Sequence, residues 1–172
     1  MKKILFIFLF FNLSTNCTGE EMQGLIPVKN VDIERFMGKW YVIAIIPNWI
    51  EKNPYNSIEE YSLNEKGYID VKYTFNQDGF DGKKRILRQK AFIENIETKS
   101  EWSIQPFWPL RFPYYIIDLD ENYSYTVIGY PNRKLLWIMS REKTISNENF
   151  KLINQNLLNQ GYDLNYIKIP HN

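Results

Sequence analysis

Histidine, cysteine and net charge are all scarce in this chain. Its 172 residues include one histidine, His171, and one cysteine, Cys17, and its 21 basic and 20 acidic side chains nearly cancel. A histidine-dependent nucleophile pair would have to use the C-terminal tail, where a chain is usually least ordered, and a histidine–cysteine zinc site has too few ligands. Balanced charge gives no broad basic field for a nucleic-acid backbone. We therefore expect no cofactor, no metal site, no nucleic-acid partner and no enzymatic activity.

The N-terminal apolar run is too short to span a bilayer. Lys2 and Lys3 precede an apolar stretch over residues 4–11, and polar residues 12–16 lead to Cys17. A basic flank, a short apolar core and a polar exit are typical of a secretory signal. The position of Cys17 resembles the lipobox of bacterial lipoproteins, in which a diacylglycerol is attached to the cysteine.

These features divide the chain into three parts. We expect residues 1–16 to be a lipoprotein signal peptide, residues 17–30 a lipid-anchored tether that begins at Cys17, and residues 31–172 one domain. Ordinary signal cleavage without lipid and an unprocessed anchor are the alternatives. The residue after Cys17 is Thr18 and not an aspartate, which favours an anchor in the outer membrane.

From residue 39 onward the sequence has the pattern of an all-β domain. Short runs rich in Tyr, Ile, Val, Phe and Trp are separated by Gly, Asn, Asp or Pro, which is typical of a sandwich or barrel. Eight antiparallel strands are enough to close an up-and-down barrel. The strands are predicted over residues 39–46, 57–63, 68–75, 86–94, 101–106, 113–119, 123–130 and 134–141.

After the eighth predicted strand the apolar period changes to that of a helix. Ser146 can cap the first turn, and Gly161 can end the last one. Between them lies one apolar stripe that should pack on the outside of the barrel, formed by Phe150, Ile153, Leu157 and Leu158.

Three segments resemble the motifs of the lipocalin family. Residues 31–41 carry Gly38 and Trp40 in the Gly-x-Trp pattern, residues 118–123 carry Asp120 of the second motif, and residues 135–141 end at Arg141. In order, and behind a lipobox-like cysteine, the set resembles the bacterial outer-membrane lipocalins. The resemblance implies a barrel floor closed by Arg141 over Trp40, and a fatty acid or lysophospholipid as ligand.

Side chains alternate between the inside and the outside of a barrel, so one fixed residue orients its strand. With Trp40 and Arg141 at the closed end, the predicted ligand-binding residues are Val42, Ala44, Tyr61, Tyr114, Ile116, Tyr125, Val127, Trp137 and Met139. Such a wall suits an acyl chain. Alternatively, the aromatic side chains fill the interior.

The same alternation turns Glu59 and Asp118 inward. Buried carboxylates are costly unless they are hydrated or paired. A catalytic pair, a polar pocket wall and an error in the assumed alternation are the three interpretations.

Four predicted loops surround the open end and combine apolar with basic residues. They suit contact with lipid headgroups, unless Phe107 and Trp108 fold back as a plug. These loops carry Trp49, Ile50, Lys83, Lys84, Arg85, Phe107, Trp108, Leu110, Phe112, Arg133 and Lys134.

The predicted function is binding. We expect an envelope lipocalin, anchored to the outer membrane through Cys17, that holds a fatty acid, lysophospholipid or similar amphiphile for storage, scavenging or transport. A lipid-modifying enzyme on the same fold and a structural lipoprotein with a filled interior are the alternatives. The sequence leaves a homodimer open.

Overall fold

The computed structural model of the protein describes residues 24–48 and 50–172. The predicted signal peptide, the predicted lipidation of Cys17 and the predicted mouth residue Trp49 lie outside the described residues. Within the described ranges, no helix is long and apolar enough to cross a membrane.

The core of the fold is an antiparallel sheet of eight strands that closes on itself. Each strand pairs with the next along the chain, and β1 also pairs with β8, which closes the barrel. In the β1–β2 pair, Gly38 lies opposite Tyr61. A short helix, α1 (Ile33–Phe36), precedes the first strand. The strands are β1 (Gly38–Ile45), β2 (Pro54–Leu63), β3 (Ile69–Gln77), β4 (Lys83–Ile93), β5 (Glu101–Phe107), β6 (Leu110–Leu119), β7 (Tyr125–Gly129) and β8 (Leu136–Ser140).

The predicted fold class is confirmed. All eight predicted strands are present, and their ends differ from the predicted ones by no more than three residues. The turns between them follow ordinary turn chemistry: Gly67, at φ +81°, allows the reversal between β2 and β3.

Helix α2 (Asn147–Asn159) packs on the outside of the barrel, as predicted. The Ser146 side chain accepts a hydrogen bond from the Asn149 N–H at 3.1 Å and so caps the first turn. Ile153 and Leu157 are buried against Ala44 and Val127 of the barrel wall. Leu158, predicted for the same stripe, is exposed, so the buried face is narrower than expected.

The last residues form a ninth strand that the sequence analysis did not predict. Strand β9 (Ile167–Lys168) pairs with Ala44 and Ile45, and the chain continues between β1 and β2. His171 Nε2 contacts the Val42 carbonyl at 2.9 Å, and the Asn56 N–H donates to the Pro170 carbonyl at 2.9 Å. We call residues 167–172 the C-terminal strap. The expectation of a frayed tail around His171 is wrong, because the strap fills the seam between the two strands.

The N-terminal segment also lies against the barrel. The Val28 N–H donates to the Ile116 carbonyl at 2.9 Å, and the Val31 N–H donates to the Thr98 carbonyl at 2.9 Å. Leu25 packs against the apolar cluster beneath α2. Residues 25–30 are therefore held on the domain, which contradicts the tether predicted for that part of residues 17–30.

Candidate functional site

The closed end of the barrel is built around Trp40 and Arg141. The guanidinium carbon of Arg141 lies 3.7 Å from the centre of the buried Trp40 ring. Arg141 also donates to the carbonyls of Arg35, Phe36 and Lys39 at 2.7, 3.1 and 2.8 Å. The predicted stacking is confirmed, and it fixes α1 across the barrel floor.

Gly38 and Asp120 complete the floor. Gly38 has φ +90°, a backbone conformation that residues with a side chain rarely adopt, so glycine is the residue that fits. Asp120 Oδ2 accepts from the backbone of Asn122 and Ser124, both at 3.1 Å, and from the Ser124 hydroxyl at 2.7 Å. These motif residues hold local turns and do not enter the interior.

Most of the predicted ligand-binding residues face the barrel interior. They belong to one apolar cluster that also contains the Trp40 and Trp102 rings. The predicted residues in this cluster are Val42, Tyr61, Tyr114, Ile116, Trp137 and Met139.

Three of the predicted ligand-binding residues face outward, so the prediction is wrong for them. Ala44, Tyr125 and Val127 pack in the cluster beneath α2. A bulge between Val42 and Ala44 shifts the alternation of β1, so that Ile45 turns inward instead. On β7, Ile128 faces inward, opposite Trp137, because a second bulge shifts the pairing of β6 and β7 after Ile116.

The second bulge also separates the two predicted inward carboxylates. Asp118 pairs with the outward Val127 and accepts a hydrogen bond from Asn156 of α2. Glu59 is buried inside the barrel. The structure therefore does not bring Glu59 and Asp118 together as a catalytic pair.

Glu59 lies in a ring of three oxygen atoms. Its Oε2 accepts from the hydroxyls of Tyr61 and Tyr114, the latter at 2.7 Å, and the two hydroxyls are 2.5 Å from each other. Burial raises the pKa of Glu59 to about 7, against the effect of the two phenol hydrogen bonds, and also raises the pKa of both phenols. Near neutral pH the Glu59 carboxyl group is therefore partly protonated, while both tyrosine hydroxyls stay neutral.

A second buried carboxyl group, Glu51, lies at the mouth side of the interior. The Trp137 Nε1–H donates to its Oε1 at 3.1 Å, and the Asn48 side chain donates to its Oε2. Burial raises the pKa of Glu51, although hydrogen bonds from Trp137, Tyr73 and Asn48 oppose the shift. The sequence analysis missed Glu51, because a loop residue has no alternation that would mark it as buried.

Aromatic rings fill the lower half of the interior. Phe36 contacts Trp40, Tyr61 and Trp102, with ring centres 5.2 to 5.3 Å apart. Tyr114 bridges Trp102 below and Trp137 above, at 6.2 and 5.9 Å. Leu87, Ile104 and Trp137 are only partly buried. Some apolar side chains in the upper half of the interior therefore keep part of their surface accessible.

The mouth carries an exposed apolar hairpin. At the tip between β5 and β6, Trp108 is 84% exposed and Phe107 is 63% exposed, so they do not fold back as a plug. Leu110, Phe112 and Ile50 are exposed as well. Lys83, Lys84 and Arg85 lie exposed at the start of β4. Arg133 is not a free rim cation, because it donates to the Gln160 carbonyl at 3.1 Å.

Comparison with known proteins assigns the family. The family model described as a lipocalin-like domain matches residues 31–172. The chain belongs to the lipocalin family. Temperature-induced lipocalin-1 of Arabidopsis thaliana is 30% identical over 153 residues, which are 84% of this chain and 81% of the relative. Outer membrane lipoprotein Blc of Escherichia coli (strain K12) is 31% identical over 129 residues, 73% of this chain and 71% of the relative.

Solved structures agree on the fold. Insecticyanin from the tobacco hornworm Manduca sexta superposes with a TM-score of 0.66 over 86% of this chain and 84% of that chain, at 17% identity. The predicted resemblance to bacterial outer-membrane lipocalins is confirmed by the Blc relatives from several bacteria. In this lipocalin the interior is more aromatic than the sequence analysis expected, since it contains Tyr73 and Trp102 as well, and its second carboxyl group is Glu51 instead of Asp118.

Proposed function

We propose that this lipocalin binds a single-chain amphiphile, such as a fatty acid or a lysophospholipid, and stores, scavenges or moves it at the cell envelope. The observation that carries the proposal is the upper interior, where the partly buried apolar side chains of Leu87, Ile104 and Trp137 lie below an exposed apolar mouth. Apolar walls with few polar groups suit a lipid chain. Relatives named outer membrane lipoprotein Blc and apolipoprotein D support this class of function.

Binding without covalent chemistry fits the site better than catalysis does. Glu59 is hydrogen-bonded to two neutral phenols, and its predicted partner Asp118 lies outside the barrel. A catalytic role would need a group that attacks or transfers a proton at a substrate. A mostly apolar wall supports binding instead, and in this proposal its few polar groups orient the ligand.

A structural lipoprotein with a filled interior is the second candidate, and the packed rings of the lower half favour it. The two functions differ in whether a lipid enters the upper half of the interior.

Burying about ten methylenes at ~0.8 kcal/mol each gives ~8 kcal/mol gross, which ordering costs reduce to roughly micromolar affinity. Calorimetric titration with lysophosphatidylcholine and with a fatty acid tests this directly.

Trp137 locates the site in that experiment. We expect its fluorescence to change on titration, and Trp137→Ala to weaken binding about tenfold, because the ring forms part of the accessible wall. Leu158→Ala, which removes an exposed side chain from α2, is the control and should bind as the wild type does. If neither lipid gives heat or a fluorescence change, the filled-interior function is correct.

We also propose that Cys17 is acylated and holds the protein at the outer membrane. The signal-like residues 1–16 and the relatives described as outer membrane lipoproteins support this anchor. Cys17→Ala should move the protein from the membrane fraction to the soluble fraction. Membrane association that persists in the variant, with no radiolabelled acyl group on the wild type, would contradict acylation.

A further inference from the structure

The inner face of β4 changes from apolar to basic between the floor and the mouth. Ala91 is buried in the interior cluster, and Leu87 packs against that cluster while partly buried. Side chains alternate between the two faces of a strand, so every second residue of β4 shares this face. In order from the floor, the face carries Ala91, Gln89, Leu87, Arg85 and Lys83. Two cations therefore follow directly above the apolar part of the face.

The pairing of β4 with β3 shows that Arg85 faces inward. Arg85 lies opposite Phe75, and Leu87 lies opposite Tyr73, in a register that runs without a bulge from Ile69 to Gln77. Directly opposed residues of an antiparallel pair lie on the same face of the sheet. Phe75 and Tyr73 are both buried in the interior cluster. The same register places Lys83 on the inner face, one step nearer the mouth.

The chain supplies no counter-charge for these two cations within its described ranges. The side chains of Lys83 and Arg85 are exposed, and they form neither an ion pair nor a hydrogen bond with another described residue. Unpaired charges of one sign at the entrance of an apolar cleft raise the local concentration of oppositely charged ligands. The inner side of the mouth therefore favours an anion.

The wall beside these cations is open on one side. Among the described strands, β4 pairs with β5 only from Lys90 to Ile93, so the part of β4 from Lys83 to Gln89 has a paired neighbour on the β3 side alone. Leu87 and Ile104, on either side of this opening, are partly buried. Arg85 lies two positions beyond Leu87, a rise of roughly 7 Å along the strand. A lipid chain against Leu87 would therefore have its polar end within reach of Arg85.

We propose that Lys83 and Arg85 form a basic rim, which binds the anionic headgroup of the amphiphile, a carboxylate or a phosphate, while the chain enters the interior. The proposal rests on the amphiphile binding proposed above and specifies its headgroup and orientation. The Arg85 guanidinium matches the geometry of a carboxylate or phosphate, and Lys83 adds a second positive charge. The opposite orientation would bring the anion toward the buried Glu51 and Glu59, where like charges repel.

The test compares three amphiphiles that share a ten-carbon chain, each used below its micelle concentration. Decanoate, decyl phosphate and the uncharged monodecanoylglycerol are titrated into the protein at pH 8 by calorimetry. We expect both anions to bind about fivefold more tightly than monodecanoylglycerol, and added salt to weaken the binding of the anions alone. Tighter binding of decanoate identifies a fatty acid as the source of the headgroup, and tighter binding of decyl phosphate identifies a lysophospholipid.

Two arginine variants of β4 locate the effect. Arg85→Gln should weaken decanoate binding about fivefold and leave monodecanoylglycerol binding unchanged, because the uncharged headgroup does not use the removed charge. Arg88→Gln makes the same change on the outer face, where Arg88 lies opposite Lys72, the ion-pair partner of Glu60, and should bind all three probes as the wild type does. Arg85 and Arg88 are both exposed, so both variants should keep the wild-type unfolding midpoint.

The outcomes separate the two proposals. If monodecanoylglycerol binds as tightly as the anions, or if Arg85→Gln binds decanoate as the wild type does, the basic rim is wrong while amphiphile binding stands. If Arg88→Gln weakens decanoate binding as much as Arg85→Gln does, the effect comes from the overall charge of β4, and the basic rim is again wrong. If none of the three probes binds, amphiphile binding fails and the basic rim fails with it.

Discussion

At the scale of single residues, Glu59 couples the stability of the barrel to pH. Burial raises its pKa from 4.5 to about 7, so between these values the folded protein holds a proton that the unfolded chain has released. The contribution of Glu59 to stability is therefore most favourable below about pH 4.5 and falls as pH rises toward 7. A shift of this size corresponds to about 3 kcal/mol between pH 5 and pH 8.

Replacing Glu59 should remove this dependence. We expect the free energy of unfolding of Glu59→Gln, measured by urea denaturation from pH 5 to pH 8, to gain about 3 kcal/mol relative to wild type over that range. Burial lowers the pKa of His171, which makes the folded protein more stable as pH rises. This effect is the same in both proteins, so it cancels when the variant is compared with wild type at each pH. Glu60→Gln should keep the wild-type slope. Parallel curves for Glu59→Gln and wild type would show that Glu59 is ionised throughout.

Some residues of the site could be predicted from the sequence, and others could not. The stack of Arg141 on Trp40 follows from two motif residues at the ends of the sheet, and this pair also oriented Val42, Trp137 and Met139 correctly. Ala44 was placed wrongly because a bulge adds one residue to a strand without a marker in the sequence. Beyond a bulge, every side chain changes face.

At the scale of elements, the C-terminal strap completes the wall between β1 and β2. The Ile169 N–H donates to the Ile43 carbonyl at 2.8 Å, and its side chain, 5% exposed, packs in the interior cluster. The strap was not predicted because its two-residue strand is too short to show an alternating pattern. The strap therefore closes the gap in the barrel wall between β1 and β2.

Two isoleucines of the strap allow a matched test. Ile169→Ala should cost about 2–4 kcal/mol, because it leaves a cavity in the interior cluster. Ile167→Ala, at a side chain that is 41% exposed, should cost less than about 1 kcal/mol. Both values come from urea denaturation at one pH. Equal costs for the two variants would show that the strap does not contribute to the core.

At the scale of the whole molecule, the N-terminal segment sets which end of the barrel lies nearest an anchor. Leu25 packs beside Gly129 at the upper end of β7, and the chain then descends to Val31 at the floor. The seven peptide steps from Cys17 to Gly24 span at most about 25 Å. A lipid on Cys17 would therefore hold the upper, open end of the barrel toward the membrane.

This orientation predicts that the mouth itself contacts lipid. Exposed indole and phenyl rings next to Lys83, Lys84 and Arg85 suit the interface of an anionic bilayer. We expect Trp108→Ser in the full chain, with Cys17→Ser to remove the lipid, to lower flotation with phosphatidylglycerol-containing vesicles about tenfold, a loss of about 1.4 kcal/mol. Its unfolding midpoint should not change, because Trp108 is exposed.

Ile96→Ser is the matched control: Ile96 is 78% exposed in the loop between β4 and β5 at the closed end. If Ile96→Ser lowers flotation as much as Trp108→Ser does, the contact is not specific to the mouth and the proposed orientation is wrong.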